Sequence, residues 1–126
     1  MGRHRLHYAA VDGDNTTLRR LLDEGTDADV LDKQSFTALQ FASLHGNLGG
    51  VQALLAAGAD PNRQNAMGNN ALRMAIQAPR DVEAIITALM SHGADPDVEN
   101  KAGSSTAAMV RLMEREDLAA LMGIDL

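Results

Sequence analysis

Histidines and carboxylates are the residues of this 126-residue chain whose chemistry could support metal binding or catalysis. The four histidines are His4, His7, His45 and His92. Only His4 and His7 have a spacing that places two imidazoles on one side of a helix, and their neighbourhood lacks the third ligand that a metal ion needs. The chain contains no cysteine, which excludes disulfides and thiolate ligands. We therefore predict no metal site and no cofactor.

The densest carboxylate cluster comprises Glu114, Glu116 and Asp117. Acidic residues are favourable in the first turn of a helix, and we interpret this cluster as a solvated helix start. The sequence has neither a glycine-rich phosphate loop nor a nucleophile-elbow motif. These observations predict that the chain is not an enzyme.

An internal repeat of about 33 residues predicts the elements that position the side chains. The segment 58–62 (GADPN) recurs as 93–97 (GADPD) and, less closely, as 25–29 (GTDAD). A leucine followed three residues later by an alanine recurs with the same period, at Leu6 and Ala9, Leu39 and Ala42, and Leu72 and Ala75. This period is typical of a solenoid of stacked helix pairs.

The residues of each unit resemble the ankyrin repeat, most closely in 35–43 (SFTALQFAS), 54–62 (LLAAGADPN) and 6–10 (LHYAA). A fourth unit, beginning near Gly103, matches less well. The resemblance implies an all-α ankyrin repeat solenoid of about four helix pairs joined by short β-hairpin-like loops. It implies one domain over residues 1–126, with units at approximately 1–31, 32–64, 65–99 and 100–126.

Helix boundaries are predicted by residues with specific capping chemistry. Oxygen-bearing side chains precede the first helices of three units, where they can accept a bond from a free backbone N–H, at Thr37, Asn70 and Ser105. Glycines that tolerate a left-handed backbone follow the second helices, at Gly25, Gly58 and Gly93.

The pair Gly49-Gly50 lies inside a predicted helix. Either a neighbouring helix approaches closely there, or the helix is locally soft, or the glycines reflect sequence drift on an outer face. In an ordinary helix Gly50→Ala would stabilise the protein by about 0.5–1 kcal/mol.

Composition and charge limit the partners and the location. The net charge is −6, from 17 acidic and 11 basic residues, which disfavours nucleic acid and favours a basic protein partner. No segment approaches 18 uninterrupted apolar residues, so we expect no membrane association and a cytoplasmic protein. Abundant alanine and the excess of arginine over lysine suggest a bacterial source.

The resemblance implies that partners bind to the concave face and the hairpin tips. The candidate partner-binding residues at these positions are Leu31, Asp32, Lys33, Phe36, Leu44, His45, Met67, Asn69, Gln77, Glu99 and Lys101. We expect Phe36 to project from a hairpin as the central apolar contact, with Asp32 and Glu99 on an acidic rim. Alternatively, some apolar residues at these surface positions, which also include Leu112 of the fourth unit, pack as ordinary core, with Leu44 and Leu112 the strongest candidates.

The predicted function is a non-catalytic protein–protein interaction module that is monomeric when free. Small ankyrin proteins of bacteria include immunity proteins that block a toxin, and an acidic inhibitor of a basic toxin would suit the charge. The alternative is a structural protein that self-associates through its apolar surface. The mass of the protein in solution at increasing concentration would separate these two functions.

Overall fold

The computed structural model describes residues 3–126 and contains eight α-helices in that part of the chain. The helices are α1 Arg5–Asp12, α2 Asn15–Asp23, α3 Ala38–Leu44, α4 Leu48–Ala56, α5 Ala71–Ala75, α6 Val82–Ser91, α7 Thr106–Leu112 and α8 Glu116–Met122. Each odd-numbered helix is followed closely by its even-numbered partner. The predicted all-α helix-pair architecture is therefore confirmed.

The helices form two layers with a continuous core between them. In the first layer α3 packs between α1 and α5; in the second, α2, α4, α6 and α8 pack in series. The recurring leucines of the repeat, Leu6, Leu39 and Leu72, are fully buried in this core. Ala107 and Val110 take the leucine and alanine positions in the fourth pair and are also fully buried. A single helix pair could not bury this apolar face alone, so stacking supplies the stability.

The predicted capping residues begin and end the helices. The side chains of Thr37, Asn70 and Ser105 each accept a bond from a backbone N–H in the first turn of α3, α5 and α7. Gln40 completes a capping box, because its side chain accepts from the backbone N–H of Thr37. After α4, Gly58 has a φ of 91°, and the N–H of the next residue, Ala59, bonds to the Leu54 carbonyl at 3.0 Å. This is the Schellman geometry that favours glycine.

The Gly49-Gly50 pair makes room for neighbouring side chains. A Cβ added to Gly49 would lie 2.7 Å from the Asn15 Nδ2 of α2, and one added to Gly50 would overlap the Asn47 Nδ2. Gly50 itself is buried. The close approach of a neighbouring helix, one of the alternatives considered, is therefore present at Gly49, whereas Gly50 is crowded first by the cap residue of its own helix. The gain in stability expected from Gly50→Ala assumed an ordinary helix position, and this close contact argues against that assumption.

Short hairpins connect the helix pairs without forming a sheet. The only extended pairing within residues 3–126 is an isolated bridge between Glu99 and Ser105. Each hairpin is closed by a backbone bond across its tip, from Asp32 to Phe36, from Asn65 to Asn69 and from Asn100 to Ser104. The hairpins thereby present short, closed tips along one side of the first-layer helices.

Candidate partner-binding surface

One polar position shapes every hairpin tip. The Asp32 Oδ1 accepts bonds from the backbone N–H groups of Gln34 and Phe36, both at 2.9 Å. Asn65 and Asn100 make the same pair of contacts in the following two hairpins. These side chains build the turns on which the more exposed tip residues are displayed.

Asp32 was expected on an exposed acidic rim, and that expectation is wrong. Its side chain is only 4% exposed, and its second oxygen lies 3.8 Å from the Nε of Arg3. One oxygen of this carboxylate thus accepts two backbone bonds, and the other faces a guanidinium that balances its charge. Asp32 therefore contributes to the shape of the tip rather than to its outer surface.

Backbone bonds link neighbouring hairpins into one ribbon. The N–H of Ala66 donates to the carbonyl of Gln34 at 2.9 Å, and the N–H of Lys101 donates to the carbonyl of Met67 at 3.1 Å. Gly68 has a φ of 81°, and a Cβ there would come within 2.7 Å of the Lys101 nitrogen. These contacts fix the positions of the three tips relative to one another. The hairpins therefore lose little conformational entropy when a partner binds.

Side chains of the first-layer helices hold the hairpins in place. The Nδ1 of His7 accepts from the backbone N–H of His4, and its Nε2 lies 2.8 Å from the Val30 carbonyl. Gln40 fills the same position in the next unit, where its Nε2 donates to the Arg63 carbonyl at 2.9 Å. His7 is fully buried, as expected for a structural histidine. Its burial lowers the pKa below the ordinary value of 6.5, despite the opposing effect of the Val30 carbonyl.

The geometry that was expected for Phe36 is also wrong. Phe36 is half-buried against the core, and its ring stacks on that of Phe41 with 5.1 Å between centroids. The guanidinium of Arg3 lies 4.5 Å from the centroid of the Phe41 ring, and the His7 ring meets Phe41 edge-on at 5.7 Å. Phe36 belongs to a structural aromatic cluster between the first two units.

Three large apolar or aromatic side chains are exposed on this side of the fold. Leu31 and Met67, both predicted, are 42% and 55% exposed. Tyr8 of α1, which sequence reasoning missed, is 46% exposed. Its counterpart one repeat later is the buried Phe41, so the repeat pattern indicated a core position. Phe41 is covered by Phe36, His7 and Arg3.

Charged residues flank these side chains. Lys33, Glu99 and Lys101 are exposed at the tips, as predicted. Asn69 is half-buried, and its Oδ1 accepts a bond from the Asn100 Nδ2 at 2.9 Å. We call Tyr8, Leu31, Lys33, Met67, Glu99 and Lys101 the hairpin surface.

The remaining predicted residues lie at the other end of the first-layer helices. Leu44 is half-buried, whereas His45 and Gln77 are exposed. The Arg80 Nη1 donates to the His45 carbonyl at 3.1 Å, so the longer loop after α5 folds back over the end of α3. Leu112, for which a core position was the leading alternative, is 87% exposed. The seven-residue length of α3, roughly 10 Å, separates these residues from the hairpin surface.

Residues that could hold a metal ion are not grouped in this fold. Among residues 3–126, no three side chains of histidine, aspartate or glutamate form a cluster suited to a metal ion. In the same part of the chain, no helix is long and apolar enough to cross a membrane.

Comparison with known proteins identifies the repeat. A family model described as "Ankyrin repeats (3 copies)" matches residues 6–100. The chain is 40% identical to ankyrin repeat and SAM domain-containing protein 6 of Danio rerio over 73 residues. This matched segment covers 57% of this chain and 10% of that protein. Over 76 residues it is 33% identical to the ankyrin repeat and LEM domain-containing protein 1 homolog of Caenorhabditis elegans, covering 58% of this chain and 11% of that protein.

A third relative has a different name. The chain is 38% identical over 64 residues to palmitoyltransferase Hip14 of Drosophila melanogaster, covering 50% of this chain and 10% of that protein. This chain thus spans about a tenth of the length of all three relatives. All three are animal proteins, and they give no support to a bacterial source. The family model covers well over half of the chain, which therefore belongs to the ankyrin repeat family.

Proposed function

We propose that this chain binds a partner protein through the hairpin surface. Ankyrin repeats generally mediate protein–protein interactions and are generally not catalytic. The observation that carries the proposal is the exposure of Leu31 and Met67 on tips joined by backbone hydrogen bonds. A rigid frame lowers the backbone entropy that is lost on binding, and exposed methionine and aromatic side chains are enriched at protein interfaces.

The centre of the proposed surface differs from the one expected from the sequence. Leu31, Met67 and Tyr8 provide the apolar contacts, and Lys33, Glu99 and Lys101 provide the polar rim. Asp32 and Phe36 support the surface from beneath. The narrower expectation of a toxin-blocking immunity protein is not part of this proposal, because it depended on a bacterial source.

A two-hybrid screen of the source organism's proteins would test the proposal. Interactions should be lost with Leu31→Glu and Met67→Glu, because a charge would be buried at the centre of the interface. They should persist with Gln52→Glu, an exposed position of α4 in the other layer. Interactions that survive both hairpin variants, or that are lost with Gln52→Glu, would contradict the proposal.

Self-association is a second candidate function, favoured by a different observation. Leu112 and Met113, at the end of α7, are both exposed. Contiguous apolar exposure of this kind often marks an association surface. Light scattering would decide between the candidates: a mass of 13.4 kDa that is independent of concentration excludes self-association. A mass that rises with concentration and returns to 13.4 kDa in Leu112→Glu supports it.

A further inference from the structure

A pocket of about 330 Å³ lies beside the first hairpin and is lined by Arg3, Tyr8, Asp32, Lys33 and Gln34. We propose that this pocket binds a carboxylate side chain of an acidic segment in the partner protein. The inference rests on the proposed function and specifies the chemistry of the partner. It is opposite to what the net charge of −6 suggests, because overall charge favours a basic partner.

The local charge of the pocket is positive. Arg3 and Lys33 are the two basic groups, and Asp32 is the one carboxylate among the lining residues. That carboxylate is committed to the fold, since its Oδ1 accepts two backbone N–H groups and its side chain is almost fully buried. Lys33 is exposed and, within residues 3–126, forms no ion pair. An entering anion would therefore meet two basic groups, while the one lining carboxylate is almost fully buried and bonded to the backbone.

The Arg3 guanidinium is held in place and keeps hydrogen-bonding capacity. It is positioned by the Phe41 ring at 4.5 Å and by Asp32, whose Oδ2 lies 3.8 Å from its Nε. That distance exceeds hydrogen-bond range, so the contact uses none of the guanidinium N–H groups in a short bond. The side chain is 40% exposed. A guanidinium whose position is fixed by stacking is well suited to paired bonds with a carboxylate.

The pocket suits a singly charged group within a peptide. Arg3 and Lys33 set against Asp32 leave one net positive charge, which matches a carboxylate better than a doubly charged phosphate. The exposed Tyr8 ring also lines the pocket and offers an apolar face to the side chain that carries the carboxylate. A small free acid would leave Leu31 and Met67 uncovered, whereas a peptide with apolar residues beside the acidic one would cover them.

Peptide arrays test the charge preference directly. The probes are nonamers with randomised flanks and a fixed central Glu, Gln, Lys or phosphoserine, incubated with the full chain. The Glu pool should bind best. For the strongest individual Glu peptide, replacement of that Glu by Gln should weaken binding about tenfold, which corresponds to about 1.4 kcal/mol.

Variants of the lining residues then test whether the peptide binds in this pocket. Lys33→Glu should remove the preference for Glu over Gln, and Tyr8→Ala should weaken binding of the Glu peptide about tenfold. Arg19→Glu, an exposed position of α2 in the second layer, is the matched control and should bind as the wild type does. Circular dichroism checks that each variant is folded.

Several results would overturn the inference. They are a preference for the Lys or phosphoserine pool, a Glu preference that survives Lys33→Glu, equal loss with Arg19→Glu, and no binding by any pool. Equal binding of the Glu and Gln peptides would overturn only the inference and leave the proposed function standing. Failure of the proposed function is recognised separately, by interactions that persist with Leu31→Glu and Met67→Glu.

Discussion

The side-chain amides of Asn15 and Asn47 exchange two hydrogen bonds, each 2.9 Å long. Asn47 also caps α4, because its Oδ1 accepts from the Gly50 N–H at 3.0 Å, and its Nδ2 donates to the Ala10 carbonyl at 3.1 Å. One amide pair therefore joins the first two repeats at the start of their second helices. Any side chain at Gly50 would displace this pair.

We predict that Gly50→Ala destabilises the protein by about 1 kcal/mol, because it separates partly buried polar groups from their partners. The free energy of unfolding, measured with urea, provides the test. Gln52→Gly, at an exposed position inside the same helix, is the control for helix propensity and should cost about 1 kcal/mol. A Gly50→Ala variant more stable than the wild type would show that the amide pair adapts without cost.

Glu114 occupies a strained backbone position. Its φ is 54°, and it corresponds to Gly46, whose φ is 72°. The correspondence follows from the next residues, since Asn47 donates to the Ala42 carbonyl and Arg115 donates to the Val110 carbonyl. We predict that Glu114→Gly raises the thermal midpoint, with a gain of up to about 1 kcal/mol from relief of the left-handed strain. Gln52→Gly, inside α4, should lower it. A lower midpoint for Glu114→Gly would contradict this account.

Phe36→Ala should lower the free energy of unfolding. Loss of the stacked Phe41 contact and of buried area should cost about 1–3 kcal/mol, which chemical denaturation would detect. Phe36→Leu, which retains apolar volume, should cost less. An unchanged unfolding midpoint for Phe36→Ala would mean that the ring is dispensable to the fold and would restore the original expectation of an exposed contact.

His7 should make stability depend on pH. Its folded-state pKa is lowered, so the unfolded chain binds more protons as the pH falls below about 6.5. The free energy of unfolding should therefore decrease on acidification through that range and be fully retained above it. His7→Gln should match the wild type closely at pH 8, because Gln40 makes equivalent bonds one repeat later. The variant should lose less stability than the wild type between pH 7 and pH 5, and an equal loss would assign the acid sensitivity to other groups.

The fold was largely predictable because its signals are local. Thr37, Asn70 and Ser105 cap helices through atoms within three residues of themselves, and Gly58 ends a helix through its own backbone angle. Such features need no knowledge of the neighbouring repeat. The period of 33 residues then determines which apolar positions are buried.

The site was less predictable because exposure depends on contacts between repeats. Asp32 is buried partly by Arg3, and Phe36 by Phe41, at separations that the repeat pattern does not specify. Tyr8 shows the opposite effect, since its position is buried one repeat later and accessible in α1. The exposure of Leu31 and Met67 was predicted correctly, because both lie within the short hairpin tips, where few neighbours can cover them.

The central claim is that the hairpin surface binds a protein partner, and the most direct test is the affinity of hairpin variants for a partner identified by the two-hybrid screen. Isothermal calorimetry would compare Leu31→Ala and Met67→Ala with Gln52→Ala. At least one hairpin variant should bind about 30-fold more weakly, or about 2 kcal/mol, with an unchanged unfolding midpoint, while Gln52→Ala binds as the wild type does. Wild-type affinity in both hairpin variants would contradict the claim.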